Sequence, residues 1–220
     1  MEFTTAVEID DRLSLLYPHK KVGILGGTFN PLHNGHFDMA YNVKEECELD
    51  SVMLLPAGNP PHKTDVETAP ANVRLRMAVL CALETDWLTV SDLEIKREGP
   101  SYTVDTMREL TQKYKDTDFY FIIGSDSLFE METWRNVAEL FKLTRFVCVR
   151  RREHEKLATA AEAARLAEKY DAVISISRYD GLNISSSEVR KRVAEGRSIA
   201  DFVPAPVEEY IHASGLYKKP

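Results

Sequence analysis

The sequence predicts an α/β protein with a mostly parallel, doubly wound sheet in a single domain, and three observations carry that expectation. Short apolar runs at Val22 to Leu25, Ser51 to Leu55 and Phe119 to Ile123 have the length and continuity of strands buried on both faces. Stretches of helical period separate them, and strands alternating with helices imply a parallel sheet covered on both sides. The residues best suited to hold a ligand fall just after strands, where the carboxyl edge of such a sheet gathers them.

Met1 to Lys20 reads as an extension, with one short helix around Arg12 to Leu16, ahead of a domain spanning 21–220. The first strand, Val22 to Leu25, stops at Gly26-Gly27. A helical pattern starts near His36, with Phe37, Ala40, Tyr41, Val43 and Cys47 towards one face. Ser51 to Leu55 is the second strand, ended by Pro56, and the loop after it carries Pro60 and Pro61. Asn72 to Leu83 returns to helical period through Val73, Met77, Leu80 and Leu83, and Leu88 to Ile95 alternates as a strand does. Ser101 to Tyr114 reads as a helix with Val104, Met107 and Leu110 inward, and Phe119 to Ile123 as the most strand-like run. One helical stretch then runs through Trp134, Val137 and Phe141. Arg145 to Val149 is a strand, Glu155 to Tyr170 an alanine-rich helix, and Ala172 to Ile176 the last strand. Helical patterns at Ser186 to Glu195 and Val207 to Ala213 close the chain.

Composition narrows the functional classes. A hydrophobic fraction of 44% supplies a core and argues against disorder. The net charge of -7 provides no broad basic surface for a nucleic acid polymer, although a nucleotide pocket needs only a few focused cations. Cys47, Cys81 and Cys148 are far apart within apolar runs and form no CxxC pair, so they read as buried hydrophobes in a reducing compartment rather than zinc ligands. No stretch resembles a secretory signal or is long enough to span a bilayer, so the expectation is a cytoplasmic protein with no membrane partner. A homo-oligomer is left open.

Chemistry concentrates at the two ends of the domain. In KVGILGGTFNPLHNGH, Lys21 to His36, a strand passes through a glycine turn into a helix N-terminus, which is a ready anion site. His33 and His36, three residues apart, can reach one ligand from the same side. Taken singly, a Gly-Gly pair is an ordinary tight turn and each histidine a surface or cap residue, and the dinucleotide fingerprint GxGxxG is absent. In ISSSEVRKR, Ile184 to Arg192, the serines cap a helix, and Arg190 adds a planar cationic fork one turn along. GNPPHKT, Gly58 to Thr64, is a poor P-loop, because His62 replaces the second glycine and two prolines remove donors.

GGTFNP joined to HNGH, together with ISSSEVR, resembles the paired signatures of the HxGH nucleotidyltransferases, whose fold is Rossmann-like. In the second signature Ser187 stands for the usual threonine and Val189 for isoleucine. NPPHK at Asn59 to Lys63, the Arg74 to Met77 segment, GPSYTVDT at Gly99 to Thr106 and IGSDSLFEMETW at Ile123 to Trp134 are similar, more narrowly, to nicotinate-nucleotide adenylyltransferases. The resemblance runs from Lys21 to Tyr217. It implies transfer of AMP from ATP to nicotinate mononucleotide, with Mg²⁺ carried on the nucleotide and no covalent enzyme intermediate.

It also implies roles. His33, His36, Lys63 and Arg190 would serve the reacting phosphates, and the Gly26, Gly27, Thr28 and Phe29 turn would cradle them. Ile184, Ser185 and Ser186 would complete the ATP site, with Gly124 beside it and Asp126 on a ribose hydroxyl. Ser101, Tyr102 and Thr103 would line the acceptor pocket, with Trp134 beside the pyridine ring and Arg135 next to it. A pantetheine-phosphate adenylyltransferase is disfavoured by the PPHK and SYT segments. A non-catalytic nucleotide sensor is disfavoured by the intact cations, and an aminoacyl-tRNA synthetase by the lack of a KMSKS-like loop.

Overall fold

A computed structural model describes residues 21–58, 68–150 and 156–218. Its six strands are β1 (Lys21–Gly27), β2 (Ser51–Pro56), β3 (Leu88–Val90), β4 (Asp118–Gly124), β5 (Arg145–Arg150) and β6 (Ile174–Asp180). They form one sheet in the order β3-β2-β1-β4-β5-β6, and every pairing is parallel. This is the doubly wound order, with its switch point between β1 and β4.

The helices are α1 (Asn34–Glu46), α2 (Ala71–Ala82), α3 (Leu93–Lys96), α4 (Thr103–Lys113), α5 (Ser125–Glu130), α6 (Val137–Leu143), α7 (Lys156–Tyr170), α8 (Ser186–Ala194) and α9 (Ala205–Ser214). Side chains alternating along the strands feed two separate cores. Val52, Leu54, Ile122 and Val147 face α1, α2, α8 and α9 through Val43, Met77, Val189 and Ile211. Met53, Leu55, Phe121 and Phe146 face the other way, towards α4, α6 and α7 through Met107, Leu140 and Leu166. Both sheet faces are therefore covered, and the carboxyl edge is where backbone turns remain for a ligand.

Several boundaries differ from expectation, each for a local reason. The strand expected to reach Ile95 stops at Val90, because the Leu93 N–H turns back to Ser91 Oγ at 3.2 Å and Asp92 starts a helical turn that Lys96 closes with a 3.0 Å ion pair. The single helical stretch through Trp134 is three pieces: α5, a short 3₁₀ turn at Met131–Thr133, and α6, with Trp134 extended and Asn136 left-handed at φ 49° between them. Asparagine tolerates that conformation better than most residues. The last strand begins at Ile174 rather than Ala172, because left-handed Asp171 and the Ala172 N–H to Ala167 carbonyl bond still belong to the exit from α7. It runs on through the polar Arg178-Tyr179-Asp180, with Asp180 in register with Arg150.

Two helix faces are rotated from their apolar pattern. On α2 the inward residues are Arg74, Met77, Ala78, Cys81 and Ala82, while Leu83 is 52% exposed. On α1, Met39, Ala40 and Val43 turn inward and Tyr41 is outside, its ring 5.8 Å from that of Trp87. Small residues on α2 allow close approach to the sheet, and an amphipathic count alone does not register this. The expected N-terminal helix lies outside the described residues.

Cys81 and Cys148 are buried and Cys47 is half-buried. Burial pushes the Cys81 thiol up to about 12, with Glu84 adding to the shift. Burial and the neighbouring Glu46 raise Cys47 too, against a lowering from Lys21. A disulfide reagent at mildly alkaline pH should therefore label Cys47 first, and more slowly than an unstructured thiol. Cys81 and Cys148 should react only after denaturation, and rapid labelling of native Cys81 would contradict this packing.

Candidate active site

The site starts where β1 ends. Gly27 has no room for a side chain, since an added Cβ would lie 2.8 Å from the Phe29 ring. Phe29 is left-handed at φ 50° and almost wholly buried, and its ring meets His36 edge-on at 5.0 Å. The helix expected to open at His36 begins two residues earlier, at Asn34, with His33 as its cap. The two histidine rings stack at 3.6 Å, and Gly35 keeps its space clear because a Cβ there would come within 3.1 Å of His33 Nδ1. The His33 main-chain N–H donates to His36 Nδ1 at 3.2 Å. In the neutral ring the proton then sits on Nε2, which makes that nitrogen a donor.

The second motif docks directly on the first. Ser186 Oγ donates to the Pro31 carbonyl at 2.9 Å, and Arg190 Nη1 donates to the Asn30 carbonyl at 2.7 Å. Ser185 caps α8 by accepting from the Glu188 N–H at 3.2 Å. Arg190 Nη2 also donates to Ser187 Oγ at 3.2 Å. All three serine hydroxyls are thus engaged within the protein, and what this helix start can offer an anion is its main-chain N–H groups. Ile184 sits beside Gly35, at 3.6 Å from where a Cβ would stand.

The residues expected to line the acceptor pocket also gather at this edge. Trp134 is half-buried, with its ring edge-on to Phe121 at 6.2 Å, and Phe121 in turn backs Gly26. Arg135 lays its guanidinium over the Tyr102 ring at 4.6 Å and lies 3.9 Å from Asp105. Tyr102 caps α4, so Thr103 opens its first turn. Ser101 Oγ donates to the Glu94 carbonyl at 3.2 Å. Gly58 presses on that same carbonyl, and the Ala57 N–H donates to Gly27 at 2.8 Å. Through this chain of contacts, Ser101 to Thr103 are tied to the turn at the end of β1. Gly124, not Asp126, caps α5, and Asp126 stands exposed in the first turn beside it. Lys63 lies outside the described residues.

Arg74, Asn30 and Glu94, to which the sequence assigns no role, help build the site. Arg74 bonds the Thr28 carbonyl, and Asn30 accepts from Arg190 and from the Ala69 N–H. Glu94 is buried, and its Oε1 accepts from Thr106 Oγ1 at 2.9 Å while Arg97 Nη1 donates to that hydroxyl at 2.8 Å. A glutamate on a short polar stretch carries no signal that it will be buried. Among the described residues, no group of three or more His, Cys, Asp or Glu side chains could hold a metal ion, and no helix is long and apolar enough to cross a membrane.

A glycine turn and a serine-capped helix joined on the carboxyl edge of a doubly wound sheet define a nucleotide-binding α/β protein. The cytidylyltransferase-like family model matches residues 24–192. A protein of Clostridium novyi named as a probable nicotinate-nucleotide adenylyltransferase is 36% identical over 199 residues, covering 90% of this chain and all of that one. A relative of the same name from Thermoanaerobacter is 40% identical, covering 90% of this chain and 95% of its own. The solved nicotinic acid mononucleotide adenylyltransferase of Plasmodium falciparum, complexed with NaAD, superposes with a TM-score of 0.73 at 19% identity, over 90% of this chain and 98% of that one, a likeness of fold. The chain belongs to the nicotinate-nucleotide adenylyltransferase family, within the cytidylyltransferase-like group.

Burial holds the Glu94 carboxyl above the usual range, against the lowering effects of the Thr106 hydrogen bond and the Arg97 charge. The folded state therefore binds this proton more tightly than the unfolded chain. The sign follows: Glu94 costs nothing below its unfolded pKa of about 4.3, and stability falls as pH rises from there to the raised folded value. Glu94→Gln removes that titration. The variant's stability relative to the parent should rise with pH across this window in urea unfolding, and a pH-independent difference would contradict the assignment.

Proposed function

We propose that this protein transfers AMP from ATP to nicotinate mononucleotide, releasing pyrophosphate and forming nicotinate adenine dinucleotide. The observation that carries the reading is the docking of Ser186 and Arg190 on the carbonyls of Pro31 and Asn30, which joins two phosphate-type motifs into one cradle. Relatives at 36% and 40% identity that bear this activity in their names support it.

The nucleophile is the acceptor's phosphate, already largely ionised near neutral pH because its second pKa is about 6. No general base is then needed, and the protein's task is to align the phosphate with the α-phosphorus of ATP and stabilise charge on the bridging and leaving oxygens. The main chain of Gly26 to Phe29, the first turn of α8, the Nε2–H of His36, His33, Lys63 and Arg190 serve that task. Attack and departure occur in one displacement: the acceptor oxygen bonds to phosphorus as the bond to pyrophosphate breaks. A site of main-chain donors and cations fits a metal that arrives on the nucleotide rather than in a carboxylate cage. Mg²⁺ arriving with the triphosphate would offset part of its charge. Trp134 lies against the pyridine ring, and Asp126 takes a ribose hydroxyl.

The acceptor's carboxylate would meet the N–H groups at the start of α4 near Tyr102 and Thr103, where negative charge is favoured. An amide there sets its NH₂ against a donor. Pyrophosphate release with ATP and Mg²⁺ should therefore favour nicotinate mononucleotide over the nicotinamide form by on the order of a hundredfold in kcat/KM, with no turnover on 4′-phosphopantetheine. Equal kcat/KM for the two pyridine acceptors would overturn the carboxylate reading, and turnover on the pantetheine compound alone would overturn the activity.

His36→Ala should fold and lose about two to four orders of magnitude in kcat, and near-normal turnover would remove His36 from the site. Arg190→Lys keeps the charge but loses the fork that also holds Asn30. ATP affinity and rate should both fall, and an unchanged enzyme would reduce ISSSEVR to a capped helix.

A further inference from the structure

Arg74 is buried at 2% exposure, and each of its three nitrogens donates to a main-chain carbonyl. Nε bonds Ala69 at 2.9 Å, Nη1 bonds Thr28 at 2.7 Å and Nη2 bonds Gly58 at 3.1 Å. The partners come from three segments: the turn after β1, the exit from β2 and the approach to α2. None of the three is a carboxylate, so among the described residues this buried cation is held by neutral acceptors. Stability by itself would be served as well by an apolar side chain of similar volume. The planar fork gives something else, which is one rigid body bonded to three turns at once.

One of those turns is the phosphate cradle. The Thr28 carbonyl belongs to the same peptide as the Phe29 N–H, and in a trans peptide the two point in opposite directions. A cation bonded to the carbonyl both fixes the peptide plane and polarises the opposing N–H. Phe29 is left-handed at φ 50°, a conformation that is unfavourable for a non-glycine residue and persists only where its surroundings hold it. Arg74 on the preceding carbonyl and the His36 ring against the phenyl group do so.

We infer that Arg74 is a positioning residue for ATP: it grips the Thr28 carbonyl from behind so that the Phe29 N–H is presented to a triphosphate oxygen. The inference rests on the adenylyl-transfer reading above and adds a residue that touches no substrate.

Two measurements on the full chain test it. With ¹⁵N-phenylalanine labelling, and Phe29→Leu to assign the resonance, adding ATP and Mg²⁺ without acceptor should shift the Phe29 amide and slow its exchange. Arg74→Lys should raise the KM for ATP by about ten- to a hundredfold, the scale of one hydrogen bond to a charged group, and leave the KM for nicotinate mononucleotide nearly unchanged. An unresponsive Phe29 amide in an ATP-binding wild-type protein overturns the inference. So does a folded Arg74→Lys enzyme whose two KM values are unchanged or move together. If Arg74→Lys does not fold, the wild-type amide measurement decides. Wild-type protein that neither binds ATP nor releases pyrophosphate overturns the functional reading itself.

Discussion

Asn30 accepts three hydrogen bonds from parts of the chain far from it in sequence. Its main-chain oxygen takes Arg190 Nη1 at 2.7 Å, and its Oδ1 takes the Ala69 N–H at 3.2 Å and the Tyr217 hydroxyl at 2.8 Å. At 4% exposure these acceptors have little access to water, so leaving them unmade would carry the full desolvation cost. The bonds draw α8, the approach to α2 and the segment after α9 onto one turn. Arg74 binds the same turn through the Thr28 carbonyl, two residues earlier on the opposite side of Phe29. The cradle is thus clamped from both sides, by two arginines that each spend donors on carbonyls rather than acids.

The sheet explains why this clamp sits where it does. β1 lies between β2 and β4, at the point where the strand order reverses, so the crossover helices leave in opposite directions from its end. Gly26 and Gly27 end that strand where an added Cβ would meet the rings of Phe121 and Phe29 at 3.2 and 2.8 Å. The backbone is therefore exposed to a ligand because aromatic rings occupy the space behind it. Anchoring α1 completes the arrangement, with the Asn34 N–H on Phe202 at 2.8 Å and its Nδ2 on Asp201 at 3.1 Å.

What could be read from the sequence were features in which residue type forces geometry. The runs Val22 to Leu25 and Phe119 to Ile123 are continuous because both their faces are buried, and the glycines of GGTFNP and HNGH mark backbone or ring contacts too close for a side chain. The docking of ISSSEVR on that turn was legible only as two motifs at opposite ends of the chain, since periodicity says nothing about their meeting. Features set by tertiary context were not legible. Ser91 and Asp92 turn an apparently alternating strand into α3 through side-chain bonds, and β6 continues through polar residues because Arg150 pairs with Asp180 across 2.8 Å. Arg74 and Glu94 stand in ordinary helical or polar stretches, and their burial follows from carbonyls and hydroxyls that distant segments supply.

Catalysis in this protein rests on donors held in place before ATP arrives, with ionised phosphate as nucleophile and no base. Its most direct test is a crystal structure with a non-transferable ATP analogue. The account predicts the triphosphate lying across Thr28, Phe29 and the first turn of α8, with His36 Nε2 within hydrogen-bonding distance of a phosphate oxygen and the Arg74 to Thr28 bond intact. A triphosphate bound away from this edge, or one reached only after the turn has rearranged and released Arg74, would contradict it.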